Sequence, residues 1–323
     1  MKMTKPLVAV VLLASLFTAC KQTDFKKTKE GFTYKVYSDG KGEKIVAGDY
    51  VGMYRTIKIK DSILQSSYGT APQIVPIPKD SSIKDNELLQ ILLTARKGDS
   101  VQINQPVDSI LRQNPQAAQD PLLLRNKGQN IVYIYKIAEV YKNQDQAMAA
   151  MEKQDMEAFN QQPGVGVQRK NDEAAIDAYL KANNIQATKT PWGSYIQVVQ
   201  PGNGQKAKYG EFMMLRYTGK DLEGHVFDTN NKPGGQLMPF QVGAGGTIPG
   251  FADAVKQLTK GEKANIYVPS VLGYGERGTP PNPQTKEQAI KPNQNLVFEV
   301  EVVDITDKVP GQTLPQTHDS TSR

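Results

Sequence analysis

Cysteine, histidine and tryptophan are scarce: 323 residues contain one, two and one of them. A single thiol, Cys20, cannot close an internal disulfide. The two histidines, His225 and His318, are too few for a His-built metal centre or a catalytic triad, so neither a metal nor another cofactor is expected. Long apolar runs are also missing. The best stretch, Leu7 to Phe17, falls short of the about 20 residues that span a bilayer. Basic clusters are missing too, because the formal charge of +6 is scattered among acidic residues, which excludes a nucleic-acid footprint. The glycine-rich Gly243-Ala244-Gly245-Gly246 lacks the Gly-Lys-Ser/Thr ending of a phosphate loop and is expected to be a tight turn.

What is there begins with an export pattern. Lys2 and Lys5 precede the apolar run, and Thr18-Ala19 stand before Cys20. This resembles the start of a bacterial lipoprotein, with residues 1–19 as signal peptide and Cys20 as the acylated first residue of the mature chain. Phe17 and Leu16 depart from the usual residues before that cysteine. The resemblance implies a lipid-anchored protein of the bacterial cell envelope, facing the periplasm, with the outer membrane as the expected site. Residues 20–30 are polar and serve as a tether.

A long internal repeat organises the remainder. Phe32 to Tyr37 alternates with period two and is followed by a turn at Ser38-Asp39-Gly40-Lys41-Gly42; the phrase returns at Gly193 to Val199 and Pro201-Gly202-Asn203-Gly204. Gly40, Gly42 and Gly48 each lie 162 residues before Gly202, Gly204 and Gly210. Lys97-Gly98-Asp99 precedes Lys260-Gly261-Glu262 by 163 residues, and Ile131-Val132-Tyr133 corresponds to Leu296-Val297-Phe298. Two copies of one fold follow from a repeat of this length. The expected division is 31–141 for the first copy, 142–185 for a helical linker, 186–306 for the second copy and 307–323 for a disordered tail. In the linker, Ala147, Met148, Met151, Met156 and Phe159 recur near helical spacing. Such a stripe suits either a packed helix face or an adaptable binding surface. A break at Gln162 to Gly166 precedes a second helix expected over 172–184.

The second copy carries aromatic and aliphatic residues around one carboxylate and one phenol: Tyr217, Phe227-Asp228, Ile248, Phe251, Tyr274 and Phe298, in that order. Nothing among them makes or breaks covalent bonds, whereas a pocket that holds and orients an apolar group suits them. In order and spacing this set resembles the FKBP-type peptidyl-prolyl cis-trans isomerases, over roughly the last 120 residues before the tail. The resemblance implies an α+β class, with two FKBP-like domains, each a curved antiparallel β-sheet wrapped on a short helix, joined by a helical linker. It also implies catalysis without a covalent intermediate. Tyr217, Asp228 and Tyr274 would be catalytic; Phe227, Met238, Gly246, Thr247, Ile248, Phe251, Ile290 and Phe298 would bind substrate. Within that set Ile248 would offer a backbone N–H, Gly246 a backbone acceptor, and Ile290 the rim. Proline-containing peptides and unfolded exported proteins would be the partners, with macrolide-type ligands competing for the pocket and a homodimer left open.

Met238 replaces a common aromatic, Phe251 replaces a frequent tryptophan, no arginine stands near Asn231-Lys232, and the segment 276–289 is longer than in the minimal domain. Each residue also has a plain reading: Phe251, Val255 and Leu258 suit a helix face in a core, and Asp228 suits a turn cap. In the first copy, Leu64-Gln65 stands where Phe227-Asp228 stands, with Ser66 as the alternative register; Leu88 falls at Phe251 and Leu111 at Tyr274. That copy is therefore expected to lack activity. The rival reading for the whole chain is a non-enzymatic chaperone or assembly lipoprotein that uses both folds as binding modules.

Overall fold

The structure, a computed structural model, describes residues 25–309. The expected signal peptide, Cys20 with the start of the tether, and the tail beyond residue 309 lie outside these residues. The chain divides into two compact units, Met1–Tyr141 and Lys142–Arg323.

The first unit is a seven-stranded antiparallel sheet of β1 (Lys26–Lys27), β2 (Thr33–Tyr37), β3 (Tyr50–Ile59), β4 (Ser62–Ser66), β5 (Gln73–Pro76), β6 (Ser100–Pro106) and β7 (Asn130–Tyr141). The order is β1-β2-β6-β7-β3-β4, with β5 also paired to β3. Its helices are α1 (Glu87–Leu92), α2 (Val107–Gln113) and α3 (Pro121–Arg125). Ile91 and Leu92 of α1 pack with Val51, Met53, Val101 and Ile137 to close a core on one face of the sheet.

The second unit opens with α4 (Gln144–Asn160) and α5 (Val165–Ala182). Its sheet comprises β8 (Thr188–Lys189), β9 (Tyr195–Gln200), β10 (Phe212–Asp221), β11 (Val226–Thr229), β12 (Met238–Gln241), β13 (Lys263–Val268) and β14 (Leu296–Thr306); α6 spans Pro249–Val255. The order is β8-β9-β13-β14-β10-β11, with β12 paired to β10, which repeats the first sheet strand for strand. Two irregularities recur as well, whereas a shift at Lys263/Ala264 between β13 and β9 is confined to the second sheet. A bulge falls at Gly52/Met53 against β7 and at Met214/Leu215 against β14, and a hairpin shift falls at Ile57/Lys58 and at Gly219/Lys220.

This register decides the alignment of the copies. Gln65 pairs with Ile57 as Asp228 pairs with Gly219, and Ser66 pairs with Thr56 as Thr229 pairs with Thr218. Leu64-Gln65 therefore occupies the place of Phe227-Asp228, and the Ser66 alternative is excluded.

Period two explains which residues face the second core. Met213, Leu215, Tyr217 and Gly219 on β10, and Leu296, Phe298, Val300 and Val302 on β14, point to one side; all of them except Gly219 belong to one apolar cluster or its margin, with Phe251, Ala254 and Val255 of α6 and Leu258 just beyond it. Burying a residue such as Phe251 contributes about 2–3 kcal/mol. The other face of the sheet is covered as well, because Ile176 and Leu180 of α5 pack on Tyr195, Tyr267 and Val297.

α5 begins at Val165, seven residues before the expected start, and Gly166 lies inside it. Buried Val165, Asp172, Ile176 and Leu180 explain the length, since one stripe of the helix is held by the sheet and not by its own propensity. The segment read as a linker thus contributes a packed layer to the second unit.

Candidate functional site

Three elements bring the aromatic residues together. β10 supplies Tyr217, the hairpin strand β11 supplies Phe227 and Asp228, and α6 places Phe251 beneath them. Phe251 is the hub, with ring centroids 4.9 Å from Phe298, 6.3 Å from Phe240 and 6.4 Å from Tyr217, all edge-on. Phe227 meets Phe298 edge-on at 5.7 Å. Edge-to-face packing fixes the tilt of the rings. Gly219 makes the arrangement fit: a Cβ there would stand 2.6 Å from Phe227 and 3.0 Å from Phe298. A glycine inside a strand often marks such a close approach.

The polar side of the site is equally specific. The Tyr217 hydroxyl donates to Asp228 Oδ2 at 2.5 Å. Burial first, then the Asp228 hydrogen bond and the neighbouring Asp228 and Tyr274 groups, pushes the Tyr217 phenol up to about 12, so it stays a proton donor at neutral pH. Asn230 locks the hairpin in place: its Oδ1 accepts from the Tyr217 backbone N–H at 2.7 Å, and its Nδ2 donates to the carbonyls of Leu215 and Gln236. Among the described residues no ion pair engages Asp228.

Ile248 is the N-cap of α6, where its carbonyl accepts from Phe251 and Ala252. Its own N–H makes no hydrogen bond among the described residues. Gly246 precedes it with φ +91°, in an exposed turn that only glycine adopts readily. Met238, on β12, joins the edge of the same apolar cluster. Tyr274 is 40% exposed. Gly273 brings its segment against Ile248, whose Cδ1 is 3.8 Å from the Gly273 Cβ position.

Two expected residues are placed otherwise. Ile290, expected at the rim, is 2% exposed and belongs to the core, with its backbone carbonyl and N–H held by Thr279. Thr247 has its hydroxyl buried without a partner and lines a cleft bounded by α4.

Sequence reasoning missed the support behind Tyr274. Asp172 of α5, buried, accepts from Ser270 Oγ at 2.8 Å, the Val271 N–H at 2.9 Å and Gln168 Nε2 at 2.7 Å. A carboxylate 98 residues away in sequence thus caps the turn that leads to Tyr274. Asn230 and Gly219 were legible in principle, one as an Asx-type turn residue and the other as a strand glycine. Asp221, Glu223 and His225 also cluster at the tip of the β10–β11 hairpin. Both Asp221 oxygens are engaged there, by the His225 N–H and by Gln294 Nε2, so the carboxylate acts as the hairpin cap.

In the first unit the same addresses hold different chemistry. Arg55 Nη2 donates to Gln65 Oε1 at 3.3 Å where Tyr217 meets Asp228. Ile57 takes the Gly219 position and packs with Tyr133, the counterpart of Phe298; Leu111, on α2, packs in that same cluster. Leu88, matched to Phe251, packs at the margin of the first core.

A tyrosine–aspartate pair thus stands beside an aromatic cluster of Phe227, Phe251 and Phe298, with a backbone N–H at Ile248 that makes no hydrogen bond among the described residues. The family model described as FKBP-type peptidyl-prolyl cis-trans isomerase matches residues 203–303. FK506-binding protein 1 of Rhizopus delemar is 37% identical over 116 residues, covering 35% of this chain and 98% of that protein. The isomerase FkpA of Escherichia coli strain K12 is 29% identical over 162 residues, 47% of this chain and 55% of that protein. The crystal structure of FkpA from Escherichia coli aligns with 25% identity and a TM-score of 0.31 over 50% of this chain and 61% of that chain. The chain belongs to the FKBP-type peptidyl-prolyl cis-trans isomerase family, and it spans little more than half the length of FkpA.

Proposed function

We propose that the second unit catalyses cis–trans isomerisation of X-Pro bonds in exported proteins. Rotation about that bond loses amide resonance, against a barrier of about 18–20 kcal/mol. Nothing need be bonded to the substrate; the site has only to bind the twisted amide better than the planar one. The pyrrolidine ring rests on Phe251 between Phe227, Phe298 and Tyr217, and water is excluded from it. The Ile248 N–H and the Tyr274 hydroxyl receive the substrate carbonyls, while Asp228, fixed by Tyr217, faces the carbonyl carbon of the rotating amide.

The single observation that carries this reading is the Tyr217–Asp228 hydrogen bond poised over the Phe251 ring. A proline-limited refolding assay on the full chain tests it: acceleration that disappears in Asp228→Ala supports it, and no acceleration by the native chain removes it. A macrolide-type ligand should compete with the substrate. The pattern of Lys2, Lys5, Leu7 to Phe17 and Cys20 supports a lipid-anchored place in the bacterial envelope, tested by labelling with a radioactive fatty acid in cells and by Cys20→Ser.

The first unit keeps the architecture but replaces Tyr217 and Asp228 with Arg55 and Gln65, which supports a non-enzymatic role for it as a binding module. Suppression of aggregation of an unfolded client by an Asp228→Ala chain is the corresponding test.

A further inference from the structure

We infer that the cleft between α4 and the segment leading into α6 is a second subsite for client polypeptide, which takes an apolar side chain followed by a basic residue. Its use alongside the aromatic pocket rests on the isomerase reading above; the chemistry of the cleft itself does not.

The cavity measures about 280 Å³. That is at the small end for ligand pockets, which run from about 300 Å³ upward, and fits one side chain better than a larger molecule. Its apolar walls are Met148 and Met151 of α4 with Trp192, Tyr209 and Phe240. The methionine stripe of the sequence thus faces a hollow in part, where flexible thioethers adapt to differing side chains. Met151, at 39% exposure, stands at the mouth.

Two polar features point to an occupant. Thr247 Oγ1 is buried in this cleft with no partner, a condition rare in folded proteins, and a backbone group of a bound segment would satisfy it. Charge is also unbalanced. Lys256 pairs with both Glu152 and Asp253, which leaves the lining of Glu152, Asp155, Asp253 and Lys256 with a carboxylate excess. Exposed Asp155 is the available carboxylate, so a basic residue next to the buried apolar one is favoured.

The cleft also adjoins the aromatic cluster. Phe240 lines the cleft and packs edge-on against Phe251, and Thr247 and Pro249 flank Ile248 in the chain. A polypeptide with its proline on Phe251 can cross the Gly243 to Gly246 turn and seat a neighbouring side chain, and tethering raises the effective concentration of the second contact.

Trp192 is the only tryptophan of the chain and lines the cleft, so its fluorescence reports occupancy without any turnover. The full chain is titrated with the proline-free peptide acetyl-Gly-Leu-Lys-Gly-amide. The expected result is a saturable change that weakens about tenfold when the peptide lysine becomes glutamate, and about tenfold in Met151→Arg, which fills the mouth with a like charge. Asp155→Asn should weaken the Leu-Lys peptide but not a Leu-Ser one. No saturation, or equal response to the lysine and glutamate peptides, overturns the subsite. In turnover, a peptide with Leu-Lys a few residues from its proline should show a KM about five- to tenfold below that of a short proline tetrapeptide, and Met151→Arg should erase that gap without changing the tetrapeptide. An unaltered gap overturns the inference. Absence of turnover with both peptides instead removes the isomerase reading, and the fluorescence titration then decides the cleft alone.

Discussion

Tyr217 donates its hydroxyl to Asp228 over 2.5 Å, from one strand of a hairpin to the other. The hairpin of the first unit makes the same cross-strand contact with Arg55 and Gln65 at 3.3 Å. Exchange of a phenol and a carboxylate for a guanidinium and an amide removes the acid and changes the proton donor without disturbing the backbone.

Tyr217→Phe and Asp228→Asn are each expected to lower kcat/KM on a proline tetrapeptide by about tenfold, the loss of one hydrogen bond to a charged group. Both act on the same contact, Tyr217→Phe by removing its donor and Asp228→Asn by removing the charge on its acceptor, so the double variant should lose less than the product of the two.

Gly219→Ala should destabilise the second unit by about 1–3 kcal/mol, because a methyl 2.6 Å from the Phe227 ring forces that ring out of place. Urea denaturation measures the loss, and tetrapeptide turnover should fall with it.

Asp172→Ala leaves the Ser270 hydroxyl and the Val271 N–H without their acceptor in a buried place, a cost of about 2–4 kcal/mol in chemical denaturation. Asp172→Asn keeps one acceptor oxygen and should cost less. Below the melting transition, turnover should drop in Asp172→Ala because the turn leading to Tyr274 loses its anchor, while Tyr274→Phe should gain little further loss on that background.

Burial pushes the Lys256 ammonium from 10.5 down to about 8. A folded-state pKa below the unfolded one means that the unfolded chain holds more protons between those values, so this group makes stability rise with pH across that window. The expected gain of the native chain over Lys256→Met between about pH 8 and 10 is about 1–3 kcal/mol, with the ion pairs to Glu152 and Asp253 favouring the low end. Parallel pH profiles for the two proteins would contradict it.

The sequence made the repeat and the aromatic set legible because both are written locally. Strand alternation puts Tyr217 on the face of Met213 and Leu215, and Phe251 follows a helix-starting proline. It did not show Asp172 reaching Ser270, since contacts between a helix and a distant turn leave no periodic mark. Ile290 sits in the exposed-looking 276–289 neighbourhood, yet it is drawn into the core because Thr279 satisfies its backbone. The early start of α5 was hidden by Gly166, a poor helix former that packing overrides. Thr247 shows the same limit: it is adjacent to Ile248 in the chain, but successive side chains diverge and its hydroxyl lies in the α4 cleft.

Because β3 and β10 place their bulge and hairpin shift at matching steps, a side chain on these strands can be moved between copies without altering its backbone address. Each half of the molecule is therefore an internal control for the other, and functional divergence after duplication can be dissected by reciprocal grafts at positions 55, 57, 65 and 133.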